Sequence, residues 1–218
     1  MRHMTARILP DDDAGRAAAI DALRAGGIVA VPTDTVYGIA VALDTPRGIE
    51  ALFAAKRRPP DKGIMLLLAD AGQAPAIGQW PPAAAALADA FWPGGLTLVV
   101  GQRPDVPLPA VLTGGASTIG LRVPDHPAPR ALAAAVGPLP TTSANISGIP
   151  EARDAAEILA QLGEAVAVVL DGGVAHGGPA STVVDCSGDR PTILRSGTID
   201  PNRIAAALDV AGIAHAIA

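Results

Sequence analysis

The sequence predicts an α/β domain built on a mixed sheet. Half of the 218 residues are apolar, enough to bury a sizeable core without a disulfide or a metal. Stretches of helical periodicity alternate with short apolar runs through the first two thirds of the chain. Late in the chain the strand-like runs follow one another too closely for a crossover helix each time, and a purely parallel sheet would need those crossovers.

Ala17 to Ala25 places Ile20 and Leu23 on one helical face, and Gly26-Gly27 supplies a left-handed stop. Ile28 to Val31 follows as a short buried strand. It opens at Pro32 into a hydroxyl-rich loop, Thr33 to Gly38, and loops at strand ends are where sites are usually built. Thr45-Pro46 offers an N-cap with proline at the first helical position, and Ile49, Leu52 and Phe53 have the spacing of a core-facing helix. Lys56, Arg57 and Arg58 fall in its last turn.

Ile64 to Leu68 and Leu96 to Val100 read as strands, with a helix from Ala83 to Phe91 between them, closed by Pro93-Gly94-Gly95. From Thr118 to Val123 the alternation has a period of two, so Thr118, Gly120 and Arg122 share one face and Ile119, Leu121 and Val123 the other. Arg130 to Val136 reads as a helix, Thr141 to Asn145 as a polar loop, and Asp154 as the cap of a helix reaching about Leu162. Val166 to Leu170, Ser181 to Val184 and Thr192 to Arg195 read as strands, the first two joined by a glycine-rich stretch from Asp171 to Gly178, and Asp200-Pro201 starts a last helix.

Charge and composition exclude several classes. A formal charge of -5 with 2% aromatic residues argues against a protein that coats nucleic acid. The single cysteine, Cys186, forbids an intrachain disulfide and fits a reducing compartment, and no apolar run reads as a signal peptide or a membrane span, so a soluble, cytoplasmic protein is expected. The Walker, dinucleotide-binding and G-x-S-x-G patterns are absent, and His3, His126, His176 and His215 lack metal-ligand spacing.

What remains is an anion-binding pattern. The chain uses arginine almost throughout and has two lysines, Lys56 and Lys62, which with Arg58 surround one helix end. Three cations there suit a polyphosphate, or equally a solvated cluster at a helix C-terminus. Arg122, sharing a face with Thr118, could grip a carboxylate or phosphate in bidentate fashion, or stand on the surface of a strand. The small polar groups from Thr141 to Asn145 suit phosphate or ribose oxygens, or an ordinary turn.

Read in order, Pro32-Thr33-Asp34-Thr35-Val36-Tyr37-Gly38, Lys56-Arg57-Arg58-Pro59, Trp92-Pro93-Gly94, Leu96-Thr97, Arg122-Val123-Pro124, Ser143-Ala144-Asn145, Ser181-Thr182-Val183 and Leu194-Arg195-Ser196-Gly197 resemble the YrdC-like L-threonylcarbamoyladenylate synthases, nucleotidyltransferases of tRNA modification. The resemblance spans almost the whole chain. It implies a YrdC-like twisted mixed sheet with flanking helices and a concave electropositive cavity. It also implies one short domain, residues 1–218, with a core of about 13–199 and a helical tail of about 200–218.

The resemblance further implies that L-threonine, bicarbonate or carbon dioxide, and ATP with Mg2+ become threonylcarbamoyl-AMP and pyrophosphate. Lys56, Arg58, Lys62, Thr118, Ser143, Asn145 and Arg195 are then the expected ATP contacts, with Lys56 and Arg58 stabilising phosphate charge. Thr35, Arg122 and Ser181 are the expected threonine contacts, Arg122 taking the carboxylate. No side-chain nucleophile and no protein-held metal are expected, and weak contact with tRNA or double-stranded RNA and hand-over to a threonylcarbamoyl transferase complex are implied. Two positions depart from the family pattern: some members carry asparagine where Lys62 stands and histidine where Leu67 stands. A carbamoyl-transferring relative on the same fold and a noncatalytic RNA-binding maturation factor remain open as other readings.

Overall fold

The computed structural model describes residues 6–45, 47–175 and 178–217, so Pro46, His3 and His176 lie outside the described residues. Ten strands form one twisted sheet: β1 (Arg7–Pro10), β2 (Ile28–Val31), β3 (Gly38–Ala40), β4 (Met65–Leu67), β5 (Leu96–Gly101), β6 (Thr118–Arg122), β7 (Leu139–Ser143), β8 (Val166–Asp171), β9 (Thr182–Asp185) and β10 (Thr192–Arg195). Seven α-helices flank it: α1 (Asp13–Arg24), α2 (Gly48–Lys56), α3 (Pro82–Phe91), α4 (Ala110–Thr113), α5 (Pro127–Val136), α6 (Ala155–Leu162) and α7 (Pro201–Val210).

The spatial order is β1-β8-β2-β3-β7-β4-β6-β5-β9-β10. β8 runs parallel to β1 and β2, β4 to β6, and β5 to β9, while the remaining neighbours are antiparallel. The sheet is therefore mixed, as the spacing of the late strands required.

Local signals set most boundaries. Asp12 accepts a hydrogen bond from the Gly15 N–H at 2.7 Å and Asp154 one from the Glu157 N–H at 2.8 Å, so each aspartate starts a helix as an N-cap. The Asp12 cap opens α1 earlier than its apolar stripe alone indicates. Helix α2 ends because Arg57 adopts a left-handed conformation, φ 52°, and its N–H returns to Ala54 O and Phe53 O.

Two expectations are corrected: α2 starts from Arg47 in a left-handed conformation, φ 60°, with no side-chain cap, while the Thr45 hydroxyl donates to Leu23 O instead; and Thr141 to Ser143 is not loop but the end of β7, hydrogen-bonded between β3 and β4. The run lacks the apolar alternation of a buried strand because its far half faces a cavity instead of a helix. The threonine Cβ branches still fit a pleated strand.

Cavity position follows from how the two sheet faces are covered. One face packs fully under α2, α3, α6 and α7, where Leu66, Leu98, Leu121 and Val184 join Leu52, Leu87, Ile158, Ile204 and Leu208 in one cluster. α7 is thus part of this core, lying against α3 with Arg203 stacked 5.5 Å from the centre of the Phe91 ring.

The other face is covered for half its width. α1 and α5 bury Val29, Val31, Val168, Leu170, Leu139 and Leu67 with their own Leu23 and Leu132. Past Leu67 and Leu139 the same face carries Met65, Thr141, Ser143, Thr97, Gly120 and Arg122, and these line an open cavity. Leu67, 1% exposed, is buried under the helix-covered half and outside that lining, which leaves no room for a polar contact there.

Candidate active site

The cavity encloses about 400 Å³, within the range of roughly 300–1,000 Å³ usual for small-molecule sites. Its floor is made by β6, where the period-two face puts Thr118, Gly120 and Arg122 side by side. A Cβ at Gly120 would stand 3.4 Å from both Met65 Cβ and Thr97 Cγ2, so the absent side chain is what keeps the middle of the floor open. Thr35, Arg58, Thr118, Arg122, Ser143, Ser181 and Arg195 all reach the wall. These seven come from six separate stretches of chain.

Arg122 is the most constrained of them, 2% exposed. Its Nε donates to Gly94 O at 2.9 Å, Nη1 to Thr35 Oγ1 at 2.9 Å and Nη2 to Asp34 Oδ1 at 2.6 Å. Burial pulls the guanidinium below its ordinary range, Asp34 opposes that, and the Arg195 cation adds to it. Arginine so far above neutrality stays charged, with two of its five N–H groups left for an anion. A guanidinium with three fixed contacts costs little further ordering when a carboxylate arrives.

Ser181 lies beyond Thr97 on β5, 1% exposed, its hydroxyl 2.8 Å from that of Thr97. Arg195 donates from Nε and Nη2 to Ser181 O at 3.1 and 2.9 Å and from Nη2 to Ser181 Oγ at 3.0 Å. The segment after β10 backs this turn closely: a Cβ on Gly197 would fall 2.1 Å from Ala180 O and 2.5 Å from Ser181 C. Gly197→Ala is therefore expected to displace Ser181 and lower the melting temperature; a melting temperature equal to wild type would contradict this packing.

Lys56, Asn145 and Lys62 are placed otherwise than the sequence suggests. Lys56 is 1% exposed and sits behind the wall, donating from Nζ to Ser143 O at 2.5 Å, Asn145 O at 2.6 Å and Asn145 Oδ1 at 2.8 Å. All three ammonium protons are thereby taken. Burial, and then the neighbouring Arg58, push its pKa down to about 8, with Glu151 opposing, so the group is still mostly protonated at neutral pH. Asn145 also accepts from Ser143 Oγ at 2.6 Å and donates from Nδ2 to Ile149 O at 2.5 Å. Lys62 is exposed, and its carbonyl accepts from Arg58 Nε at 2.8 Å while Arg58 Nη2 donates to Gly63 O at 2.7 Å.

Pattern reading overlooked Asp34, Thr97, Met65 and Glu151. Thr97 was within reach, as the hydroxyl on the cavity-facing side of an otherwise apolar strand. Asp34 was not, because its partner is 88 residues away. The stretch after β8 borders a second, smaller pocket of about 220 Å³ with Asp34, His126 and Thr198. Tyr37 Oη holds that stretch, donating to Gly173 O at 2.7 Å and accepting from Gly172 N at 3.0 Å. His126 serves as the N-cap of α5, Nδ1 accepting from Ala128 N at 3.2 Å.

Cys186 is buried, and burial followed by Asp185 pushes its thiol up to about 12. The folded protein is expected to resist thiol reagents at pH 8 and to react once unfolded. Labelling of the native protein would contradict that environment. Among the described residues no three His, Cys, Asp or Glu stand together as a metal cluster, and no helix is long and apolar enough to cross a membrane.

Comparisons with known proteins bear on this geometry. The model of the Sua5–YciO–YrdC family, described by the words "Telomere recombination", matches residues 21–197. A relative in Mycobacterium tuberculosis (strain CDC 1551 / Oshkosh) is 40% identical over 206 residues, 90% of either chain. The threonylcarbamoyl-AMP synthase of Bacillus subtilis (strain 168) is 37% identical over 200 residues, 91% of this chain and 57% of that one, so the chain spans little more than half its length. Among solved structures, P. abyssi Sua5 complexed with L-threonine superposes with a TM-score of 0.86 at 30% identity, covering 97% of this chain and 61% of that one.

Proposed function

Because the chain belongs to the Sua5–YciO–YrdC family, we propose that it is a threonylcarbamoyl-AMP synthase, turning L-threonine, bicarbonate and ATP into threonylcarbamoyl-AMP, pyrophosphate and water. The observation that carries this reading is the wall itself. A buried, triply anchored Arg122 beside Thr35 stands in one cavity with two further guanidinium groups, Arg58 and Arg195. Such a cavity suits two anionic substrates held together.

The amino-acid carboxylate takes the two free N–H groups of Arg122, with Thr35 and Ser181 flanking it. The triphosphate lies toward Arg58 and Arg195, with the hydroxyls of Thr118 and Ser143 along its path. Threonine's amine combines with the one-carbon unit as a carbamate, whose oxygen then attacks the α-phosphorus and expels pyrophosphate. No covalent enzyme intermediate is needed, so the chain acts by bringing the carbamate oxygen and the α-phosphate together and by countering charge on the leaving group. Lys56 and Asn145 act one step back, fixing the backbone of Ser143 in the wall.

Magnesium enters with ATP in this reading. Glu151 is the one carboxylate on the described cavity wall, and Mg2+ typically binds through phosphates, waters and one or two carboxylates, where it shields phosphate charge. The product is a reactive acyl phosphate, which calls for prompt transfer, in this reading to a transferase that modifies tRNA.

Pyrophosphate release by the purified protein with MgATP and bicarbonate is expected to require L-threonine, with glycine and serine much poorer. Equal release without any amino acid, or none with threonine in a protein that binds ATP, would refute the proposal.

A further inference from the structure

Asp34 is the acidic partner of the carboxylate-binding arginine, on the short loop between β2 and β3. Its Oδ1 accepts from Arg122 Nη2 at 2.6 Å and from the Asp125 backbone N–H at 3.1 Å. One oxygen thereby joins three elements: the loop after β2, the β6 side chain, and the chain entering α5. The next residue, Thr35, accepts from Nη1 of the same guanidinium. Consecutive residues thus hold two different nitrogens, and Gly94 O holds the third.

This arrangement does more than satisfy a buried charge. Two N–H groups of Arg122 must point at a ligand, and a long, free arginine side chain would sample many rotamers at an entropic cost paid on each binding event. Contacts at all three nitrogens remove that freedom in advance. The carboxylate of Asp34 is the charged contact among the three, hence the strongest and the best at fixing the plane of the guanidinium. Asp34 also stands between the two pockets, lining the smaller one, while the cavity wall is formed by Thr35 and Arg122. Its side chain reaches the amino-acid seat through the arginine.

We infer that Asp34 is a positioning residue for substrate recognition, orienting Arg122 so that its free edge meets the amino-acid carboxylate, and that it thereby sets threonine affinity without contacting either substrate. The inference rests on the proposed use of Arg122 as the threonine carboxylate site.

Asp34→Asn keeps an acceptor oxygen but removes the charge, and Asp34→Ala removes both. Both variants are compared with the full-length wild type by calorimetric titration of L-threonine and of a nonhydrolysable ATP analogue, and by steady-state pyrophosphate release. The expected result is graded: threonine Kd and KM rise about tenfold or more for Ala and by a smaller factor for Asn, while the ATP-analogue Kd and the kcat at saturating threonine stay within about threefold of wild type. Rescue by Asn and the KM-against-kcat split separate positioning from general damage to the fold, which would weaken both ligands together. Equal weakening of the two ligands, or unchanged threonine affinity in both variants, would overturn the inference. A wild type that fails to bind threonine would instead overturn the reading of the site on which it rests.

Discussion

Arg122→Ala is expected to raise the threonine KM by a hundredfold or more, about 3 kcal/mol, while the affinity for an ATP analogue changes little. The direction follows from the seat: the guanidinium is the buried charged group that can meet a carboxylate, and 2% exposure lets little water replace it. Its removal also takes the charged donor from Asp34 Oδ1, Thr35 Oγ1 and Gly94 O, leaving Asp34 Oδ1 with the Asp125 N–H alone. Some loss of stability is therefore expected as well, on the order of 2–3 kcal/mol. Arg122→Lys should recover little, because one ammonium cannot serve three acceptors on three elements and still present a flat edge to a carboxylate. Parallel titrations of threonine and ATP analogue check this, and matched losses for the two ligands would contradict the assignment.

Lys56→Met should lower stability more than any other wall-supporting change, by about 3 kcal/mol or more, with a fall in melting temperature of roughly 6–12 °C. Methionine matches the stem but takes the charged donor from Ser143 O, Asn145 O and Asn145 Oδ1, leaving Ser143 O and Asn145 Oδ1 only their neutral contacts with Asn145 N–H and Ser143 Oγ, all around a side chain 1% exposed. The link between the end of α2 and the exit of β7 then loosens, and Ser143 goes with it. Nucleotide affinity should fall through that loosening, with threonine affinity less affected. Thermal unfolding of the variant beside Lys62→Met separates the two lysines, since Lys62 is exposed and its replacement should leave stability within about 0.5 kcal/mol of wild type. Equal effects at both positions would sink the distinction.

That distinction also shows where sequence reading reaches its limit. Period-two alternation placed Thr118, Gly120 and Arg122 on one face, and β6 carries them so, because alternation is a property of the local backbone. Most strands and helices with apolar stripes or aspartate caps were legible for the same reason, but β1, β3 and α4, too short to show a period, were not. β7 was not, because the half of the sheet that faces a cavity has no need of apolar residues, and Thr141 to Ser143 therefore resemble a turn.

Side-chain direction was the harder matter. Lys56 and Arg58 lie two residues apart at a helix end, and motif resemblance treats them alike. The left-handed Arg57 between them turns the chain so that Lys56 stays inside while Arg58 reaches the wall. Likewise Asp34 lies in the hydroxyl-rich loop after β2, but its role depends on Arg122 and Asp125, which only the fold brings near. Pairings across that much sequence have no local signature.

The most direct test of the account is to supply 13C-labelled bicarbonate with L-threonine and MgATP and to follow the nucleotide product by mass spectrometry at short times. The account predicts an adenylate whose mass contains threonine and one labelled carbon, formed in step with pyrophosphate. Turnover of ATP that yields pyrophosphate but an adenylate without the labelled carbon would contradict it.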